Sequence, residues 1–252
     1  MSTPKLVLCE LSDTGLAGVE SYSPFCLKVH RALKVARLPY ERRHGGRPSA
    51  FRQYNAAAQV PVLLVDGAPV ADSTEIVRRV VALRPGALAD DGESWLWEEL
   101  ADSALNSFLI AARWADERNW PTTRAAYFGK MPSLIRAIVP ARIRKRVIGT
   151  LVGRDVWRAG AERCWARFEA LLDQLDARAP ERGWWCGRAL SVADVAIFAQ
   201  LHSLRTPLTV AQATSLAQRK RLSAWLDRVH EETTCAAPID SSASFSYSAA
   251  AS

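Results

Sequence analysis

Three short stretches of the chain carry residue types whose spacing could do chemistry. Ser23-Pro24-Phe25-Cys26 puts a hydroxyl and a thiol three residues apart at the head of a helical pattern, Val60-Pro61 opens an apolar run, and Asp72-Ser73-Thr74-Glu75 heads a second helical pattern. At a helix N-terminus the free amide groups and the positive end of the dipole attract an anion, and a serine hydroxyl there could donate to a thiolate and lower its pKa. At Asp72-Ser73 the same logic gives amides and a hydroxyl for a carboxylate, with the Asp72 acid for an ammonium. A proline at the start of an apolar run cannot donate to a ladder. If its peptide bond is cis, the backbone of Val60 can turn towards a ligand, and an extended peptide could pair with it.

Each stretch also has a structural explanation. Ser23 followed by Pro24, with Phe25, Val29, Ala32, Leu33 and Ala36 at helical spacing, reads as an N-cap, a first-turn proline and one buried face. Taken locally, the cap is the stronger reading. Asp72 to Glu75 before Ile76, Val77, Val80 and Val81 reads as a capping box. Cys26 sits at the third helical position, where an inert buried thiol is the commoner outcome, so it is the alternative to Ser23 rather than the first choice.

The elements that must position these residues follow from the pattern. Lys5 to Cys9 reads as a buried first strand, and a connection containing Gly15 and Gly18, long for this purpose, leads to the helix at Ser23. Pro39 to Arg43 reads as a second strand ending at Gly45-Gly46, and Pro48 to Asn55 as a short helix. A strand from Val60, a turn at Asp66-Gly67 and a strand from Ala68 to Asp72 make a hairpin, with Pro69 placing the last strand at the sheet edge. The next helix ends near Arg84-Pro85-Gly86. From Ser94 onward only helical spacing is evident, with apolar stripes at Trp97, Leu100, Ala101, Ala104, Leu105, Phe108 and Leu109, and at Trp165, Phe168, Leu171, Leu172 and Leu175. The expected division is an α/β domain over residues 1–84, a linker at 85–93, an all-helical domain over 94–237 and a disordered tail at 238–252.

Composition narrows the function classes. The 252 residues, 49% hydrophobic and 23% charged, suffice for a sizeable core in two modest domains. No apolar run is long enough to span a bilayer and Met1 to Leu8 has no signal-peptide profile, so a cytoplasmic protein is expected. Cys9, Cys26, Cys164, Cys186 and Cys235 are scattered, odd in number and without a C-x-x-C pair, which argues against a disulfide framework. His30, His44, His202 and His230 show no ligand spacing, so no metal is expected. The net charge of +7 is spread widely enough that nucleic acid is not required. Its densest part, Met131 to Arg158, interleaves Arg136, Arg142, Arg144, Lys145, Arg146, Arg154 and Arg158 with Ile135, Ile138, Val139, Ile143, Val147 and Ile148. This is either a solvated lid or interface helix, which is the favoured reading, or a helix for a membrane surface or an acidic partner.

Taken together, Ser23-Pro24-Phe25-Cys26-Leu27-Lys28-Val29, Leu38-Pro39-Tyr40-Glu41, Asn55 through Val60-Pro61-Val62-Leu63, and Asp72-Ser73 resemble the N-terminal domain of glutathione S-transferases. Gly187-Arg188-Ala189-Leu190-Ser191-Val192-Ala193-Asp194 is similar to the G-x-x-x-[ST]-x-A-D signature of their C-terminal domain, in which the serine and aspartate are structural. The resemblance implies the glutathione S-transferase fold, a thioredoxin-like βαβαββα domain followed by an all-α one. It implies Ser23 as the thiol activator, Val60 beside cis-Pro61 for the cysteinyl part of glutathione, and Asp72 with Ser73 for its γ-glutamyl end. Glutathione is then a co-substrate, a small hydrophobic electrophile the second substrate, detoxification the role and a homodimer the assembly. The middle of the helical half, Ala112-Arg113-Trp114-Ala115-Asp116 with the Tyr127-to-Pro140 and Arg142-to-Arg146 segments, looks more like the metaxin and failed-axon-connections branch of that superfamily. Its members are often treated as binding or organising proteins. Three functions therefore stay open: glutathione conjugation, thiol transfer through Cys26, and non-catalytic binding.

Overall fold

A computed structural model describes residues 3–153 and 156–234. The stretch expected to be a tail, residues 238–252, and Arg154 of the basic segment lie outside the described residues.

Strand β1, Leu6–Leu11, buries Leu6, Val7, Leu8 and Cys9. Helix α1, Pro24–Val35, starts where the serine-proline pair predicts, and strand β2, Glu41–Gly45, returns parallel to β1. Strands β3, Val62–Val65, and β4, Ala68–Ala71, are joined through Asp66 and Gly67, whose φ angles of 50° and 86° give the left-handed pair that a two-residue hairpin turn demands. The sheet order is β2-β1-β3-β4, with β3 antiparallel to both neighbours and Pro69 on the edge strand. Helix α2, Ser73–Leu83, closes this half.

Several boundaries shift from the sequence expectation: β1 runs one residue later at its start and two further at its end, β2 starts at Glu41 rather than Pro39, β4 stops at Ala71, and two more shifts have a clear physical cause. β3 begins at Val62 rather than Val60, because Pro61 has no N–H to donate. The helix expected from Pro48 to Asn55 is a single 3-10 turn, Pro48–Phe51. Beyond it, Asn55 accepts from the N–H of Ala57 (3.1 Å) and donates to the carbonyl of Gln59 (3.1 Å), turning the chain instead of extending a helix.

The rest is helical apart from isolated bridges. Helix α3, Gly92–Leu100, runs through a π turn, Ala101–Leu105, into α4, Asn106–Ile110, and a second π turn, Ala111–Ala115. There follow α5, Trp120–Phe128; α6, Ser133–Gly153; α7, Gly160–Arg178; α8, Val192–Leu204; α9, Val210–Ala217; and α10, Lys220–Thr234. Every residue of α8 except His202 is buried, as befits a helix apolar all round and surrounded by others. Its start is the capping box expected at Ser191 and Asp194, with both reciprocal bonds present. Asp194 goes further than a cap, accepting from the Trp185 N–H (2.8 Å) and the Trp225 indole (3.1 Å).

The two halves share their cores. Leu27 of α1 packs into the helical cluster, while Leu190, Val192 and Val195 pack into the cluster under the sheet. No helix among the described residues is long and apolar enough to cross a membrane.

Candidate functional site

The register of the sheet brings the three candidate stretches to one place. Cys9 lies opposite Val62 and Val62 opposite Ala71, so the C-terminal ends of β1 and β4 and the N-terminal end of β3 sit side by side. The chain leads from β1 into α1 and from β4 into α2 at this end, and Val60-Pro61 enters β3 there. Two helix N-termini and one strand entrance therefore face the same end of the sheet.

Ser23 is the N-cap of α1, with extended backbone (φ −100°, ψ 119°), and its Oγ accepts from the Cys26 N–H at 3.3 Å. The cap uses an oxygen lone pair, and the hydroxyl, which is also within hydrogen-bonding reach of the Cys26 sulfur, keeps its hydrogen as a donor. Ser23 is only half-buried, so it is not folded into the interior despite the long preceding connection. Its flanks are held from both halves of the molecule. The Ser23 N–H donates to Ser21 Oγ (3.3 Å), and Ser21 donates to Glu10 (3.2 Å). The carbonyl of Tyr22 accepts from Arg113 of the second π turn at 2.6 Å.

Cys26 is fully buried. Burial pushes its thiol far up, the Glu10 charge adds to this, and the neighbouring hydroxyls of Ser23 and Ser21 do not compensate. It is therefore a neutral thiol packed behind the helix start.

The Val60-Pro61 bond is cis. The N–H and carbonyl of Val60 are taken by no hydrogen bond among the described residues, and the side chain is half-buried, so a free peptide edge faces the same end of the sheet. Asp72 is exposed and caps α2, with Oδ1 accepting from Thr74 (2.8 Å) and Glu75 (3.4 Å). Its backbone is held at φ 75°, ψ 132°, an arrangement costing about 1–3 kcal/mol of the kind that collects at ligand clamps. Ser73 is buried and its hydroxyl donates to Asp102 at 3.4 Å, and since the cap takes the Thr74 and Glu75 amides, it is the Ser73 N–H that remains in the first turn of α2 for an anion.

The polar groups beneath carry no local signature in the chain. Lys28 of α1, 1% exposed, is hydrogen-bonded to Glu98 (2.6 Å) and Asp102 (2.5 Å). Thr74 donates to Glu98 (2.7 Å) and Gln200 to Asp102 (3.2 Å), which ties the start of α2 to the helical half. Behind Ser23, the buried Glu10 accepts from Arg42 at 2.5 Å and meets His30 Nε2 at 3.1 Å, while His30 Nδ1 meets Tyr40 at 2.7 Å. Burial alone would raise the Glu10 pKa, but the bonds from His30, His44 and Arg42 outweigh it and hold the carboxyl well below its usual range.

An aromatic wall adjoins Ser23 as well. The Tyr22 ring lies 4.6 Å from Tyr127, which is 5.3 Å from Trp114, and Trp114 is 5.9 Å from Trp120. Its signal was present in the sequence as Trp114, Trp120, Tyr127 and Phe128 within one short stretch, but nothing local said which strand end they would face.

The histidines, unremarkable in spacing, do meet in the fold. Ligand atoms of Glu20, His202 and His230 lie within 4.8 Å of one another. The Arg31 guanidinium is among them, bonded to Glu20 and 3.4 Å from His230 Nδ1, so the positive charge that a metal ion would bring to this cluster is already supplied by the chain.

A mixed four-stranded sheet with a cis-proline at its third strand, backed by a helical bundle, defines the class of thioredoxin-like proteins that carry an all-α second domain. The chain belongs to the glutathione S-transferase superfamily: the family model "Glutathione S-transferase, N-terminal domain" matches residues 22–82 and "Glutathione S-transferase, C-terminal domain" matches residues 158–228. Solved structures agree on the fold. The beta-etherase LigF from Sphingobium superposes with a TM-score of 0.61 at 18% identity, covering 90% of this chain and 95% of that one. A glutathione transferase family member from Pseudomonas fluorescens with two glutathione bound gives 0.58 at 16% identity, covering 91% and 92%. Rice GST1 in complex with glutathione gives 0.56 at 17%, covering 95% and 92%. No curated protein matches the sequence significantly.

Proposed function

We propose that the protein is a glutathione transferase that conjugates the glutathione thiolate to a hydrophobic, aromatic electrophile. The observation that carries this reading is the convergence of two helix N-termini and the unpaired Val60 peptide at one end of the sheet, with the half-buried Ser23 hydroxyl at the start of α1 next in the chain to Tyr22 of the aromatic wall.

In this reading the γ-glutamyl carboxylate lies at the N-terminus of α2 on the Ser73 N–H, and its ammonium on Asp72 Oδ2, the oxygen the cap leaves over. The cysteinyl backbone pairs with Val60. The sulfur sits at the start of α1, where the Ser23 hydroxyl donates to it. A free thiol with a pKa of about 8.5 is mostly protonated at neutral pH, and lowering it by one or two units raises the thiolate population roughly tenfold or more. The thiolate then attacks the electrophilic carbon, the carbon–sulfur bond forms, the leaving group departs with the electron pair, and the thiol proton goes to solvent. The burial of Cys26 speaks against thiol transfer through that residue.

Calorimetric titration with glutathione comes first, followed by conjugation of an aromatic halide across pH. Ser23→Ala is expected to lower kcat/KM about tenfold to a hundredfold and to move the rate profile up by about one to two pH units, while Cys26→Ala retains activity. Absence of glutathione binding at millimolar concentration would sink the transferase reading and leave a binding protein on the same fold. Loss of activity in Cys26→Ala but not in Ser23→Ala would give the chemistry to the thiol.

A further inference from the structure

Helix α6 lies between the two stretches matched by the family models, and only its second half, through Val147, Ile148 and Leu151, packs on the helical core. Pro140 and Leu151 are its buried residues, and residues 133–138 ahead of Pro140 are all exposed. There Leu134 is 83% exposed, Ile138 56% and Ile135 47%. At 100° per residue these three fall within one quarter-turn or slightly more of the helix surface, and one to two turns further on the exposed Arg142 and Lys145 fall in the same sector, with exposed Arg146 about 20° beyond its edge. Residues 133–153 hold five cations, Arg136, Arg142, Arg144, Lys145 and Arg146, and no acid. Arg144 is engaged with Glu117 and the carbonyls of Trp114 and Ala115, and Arg136 with the carbonyl of Gly129, whereas Arg142, Lys145 and Arg146 have no ion pair among the described residues. A merely solvated cationic face accounts for these three, but not for bare leucine and isoleucine ahead of them.

We propose that the outer face of α6 docks on an anionic bilayer surface, with Leu134, Ile135 and Ile138 entering the acyl boundary and Arg142, Lys145 and Arg146 meeting headgroup phosphates. Other occupants fit this face less well. A second copy of α6 would set cations against cations without an acid to pair them. Residues 235–252 carry a single acid, Asp240, against the five cations. Nucleic acid would match the charge but leave the apolar turns in water. A helix with cations and apolar residues on one outward face suits the boundary between headgroups and acyl chains, where area burial and charge attraction add.

The test is co-sedimentation of the full chain with phosphatidylcholine vesicles and with vesicles containing about a third phosphatidylserine, at low and high salt. Binding is expected only to the anionic vesicles and is expected to weaken with salt. The triple variant Arg142→Gln, Lys145→Gln, Arg146→Gln is expected to lower the partition coefficient at least about tenfold, and Leu134→Ser with Ile138→Ser by a similar factor. These side chains are exposed, so circular dichroism and the urea midpoint should stay at wild-type values in both variants. Equal binding to neutral vesicles, no binding to anionic ones, or binding kept in both variants would each overturn the proposal. So would a concentration-dependent dimer abolished by Leu134→Ser with Ile138→Ser in a protein that ignores vesicles, or a duplex DNA that displaces vesicles without needing the apolar pair.

Discussion

At the scale of single residues, Asp72 combines two roles that substitution can separate. Its carboxylate caps α2 through Oδ1, and its backbone sits at φ 75°, a left-handed value that asparagine tolerates far better than alanine. Asp72→Asn keeps the cap and the backbone but removes the negative charge. We expect stability within about 0.5 kcal/mol of wild type and glutathione affinity about tenfold weaker by calorimetry. Asp72→Ala loses cap, charge and backbone compatibility together, so a further loss of about 1–2 kcal/mol should appear in urea unfolding. If Asp72→Asn binds glutathione unchanged, the ammonium is held elsewhere. Glu10 supports Ser23 through Ser21 and is equally testable. Its folded pKa lies below the ordinary 4.5, so its contribution is present above that pH and is lost as pH falls beneath it towards the depressed value. The thermal midpoint should therefore drop between pH 5 and pH 3, and Glu10→Gln should start lower at pH 7 and flatten that drop.

Between elements, the Glu20, Arg31, His202 and His230 cluster joins the connection before α1 to α1, α8 and α10. The stacked imidazoles, 5.2 Å apart, cannot both charge beside a guanidinium. Burial, then the neighbouring His230 and Arg31, pull the His202 pKa from 6.5 to about 4. A histidine whose folded pKa is depressed binds its proton first in the unfolded chain, so stability falls as pH drops from about 6.5 to about 4. This window lies mostly above that of Glu10, and His202→Gln should flatten the upper part of the curve alone. A urea midpoint independent of pH between 6.5 and 5 would contradict the arrangement. Such clusters were hidden from the sequence for a simple reason. Ser23, Asp72, the Asp66-Gly67 hairpin and the Ser191/Asp194 box are local, each defined within a few residues, and so could be read directly. Glu20 and His202 are distant in the chain, and the buried Arg31 on an amphipathic helix looks like any solvated arginine until α8 and α10 are laid against it. The same limit hid the aromatic wall, and it hid Arg113, whose guanidinium holds the Tyr22 carbonyl from across the molecule.

For the molecule as a whole, Lys28 adds a buried ionic link between the two halves to the cores they share. It leaves α1 with its ammonium buried and meets Glu98 on α3 and Asp102 in the first π turn, where the i-to-i+5 bonding inserts an extra residue into the helix. Ser73 and Thr74, at the start of α2, bond to the same two carboxylates, so the glutathione end of the proposed site and the interface between the halves share one set of charges. Burial raises the Asp102 pKa, and Lys28 is the principal charge acting against that rise. Lys28→Met leaves two buried carboxylates without their cation, a loss expected to cost about 3–5 kcal/mol in urea unfolding. Because the uncompensated Asp102 can then take up a proton, the deficit should shrink as pH is lowered, the opposite of the wild-type trend set by Glu10 and His202. The double variant Lys28→Met with Glu98→Gln removes one of the stranded charges and should recover part of the loss, so the two single effects do not add. Glutathione affinity should follow the same order, wild type above the double variant above Lys28→Met, since the hydroxyls of Ser73 and Thr74 depend on where these carboxylates lie. Strict additivity of the stability effects would mean that Lys28 packs by its methylenes alone, and the two halves would then be joined by their shared apolar core without an ionic contribution.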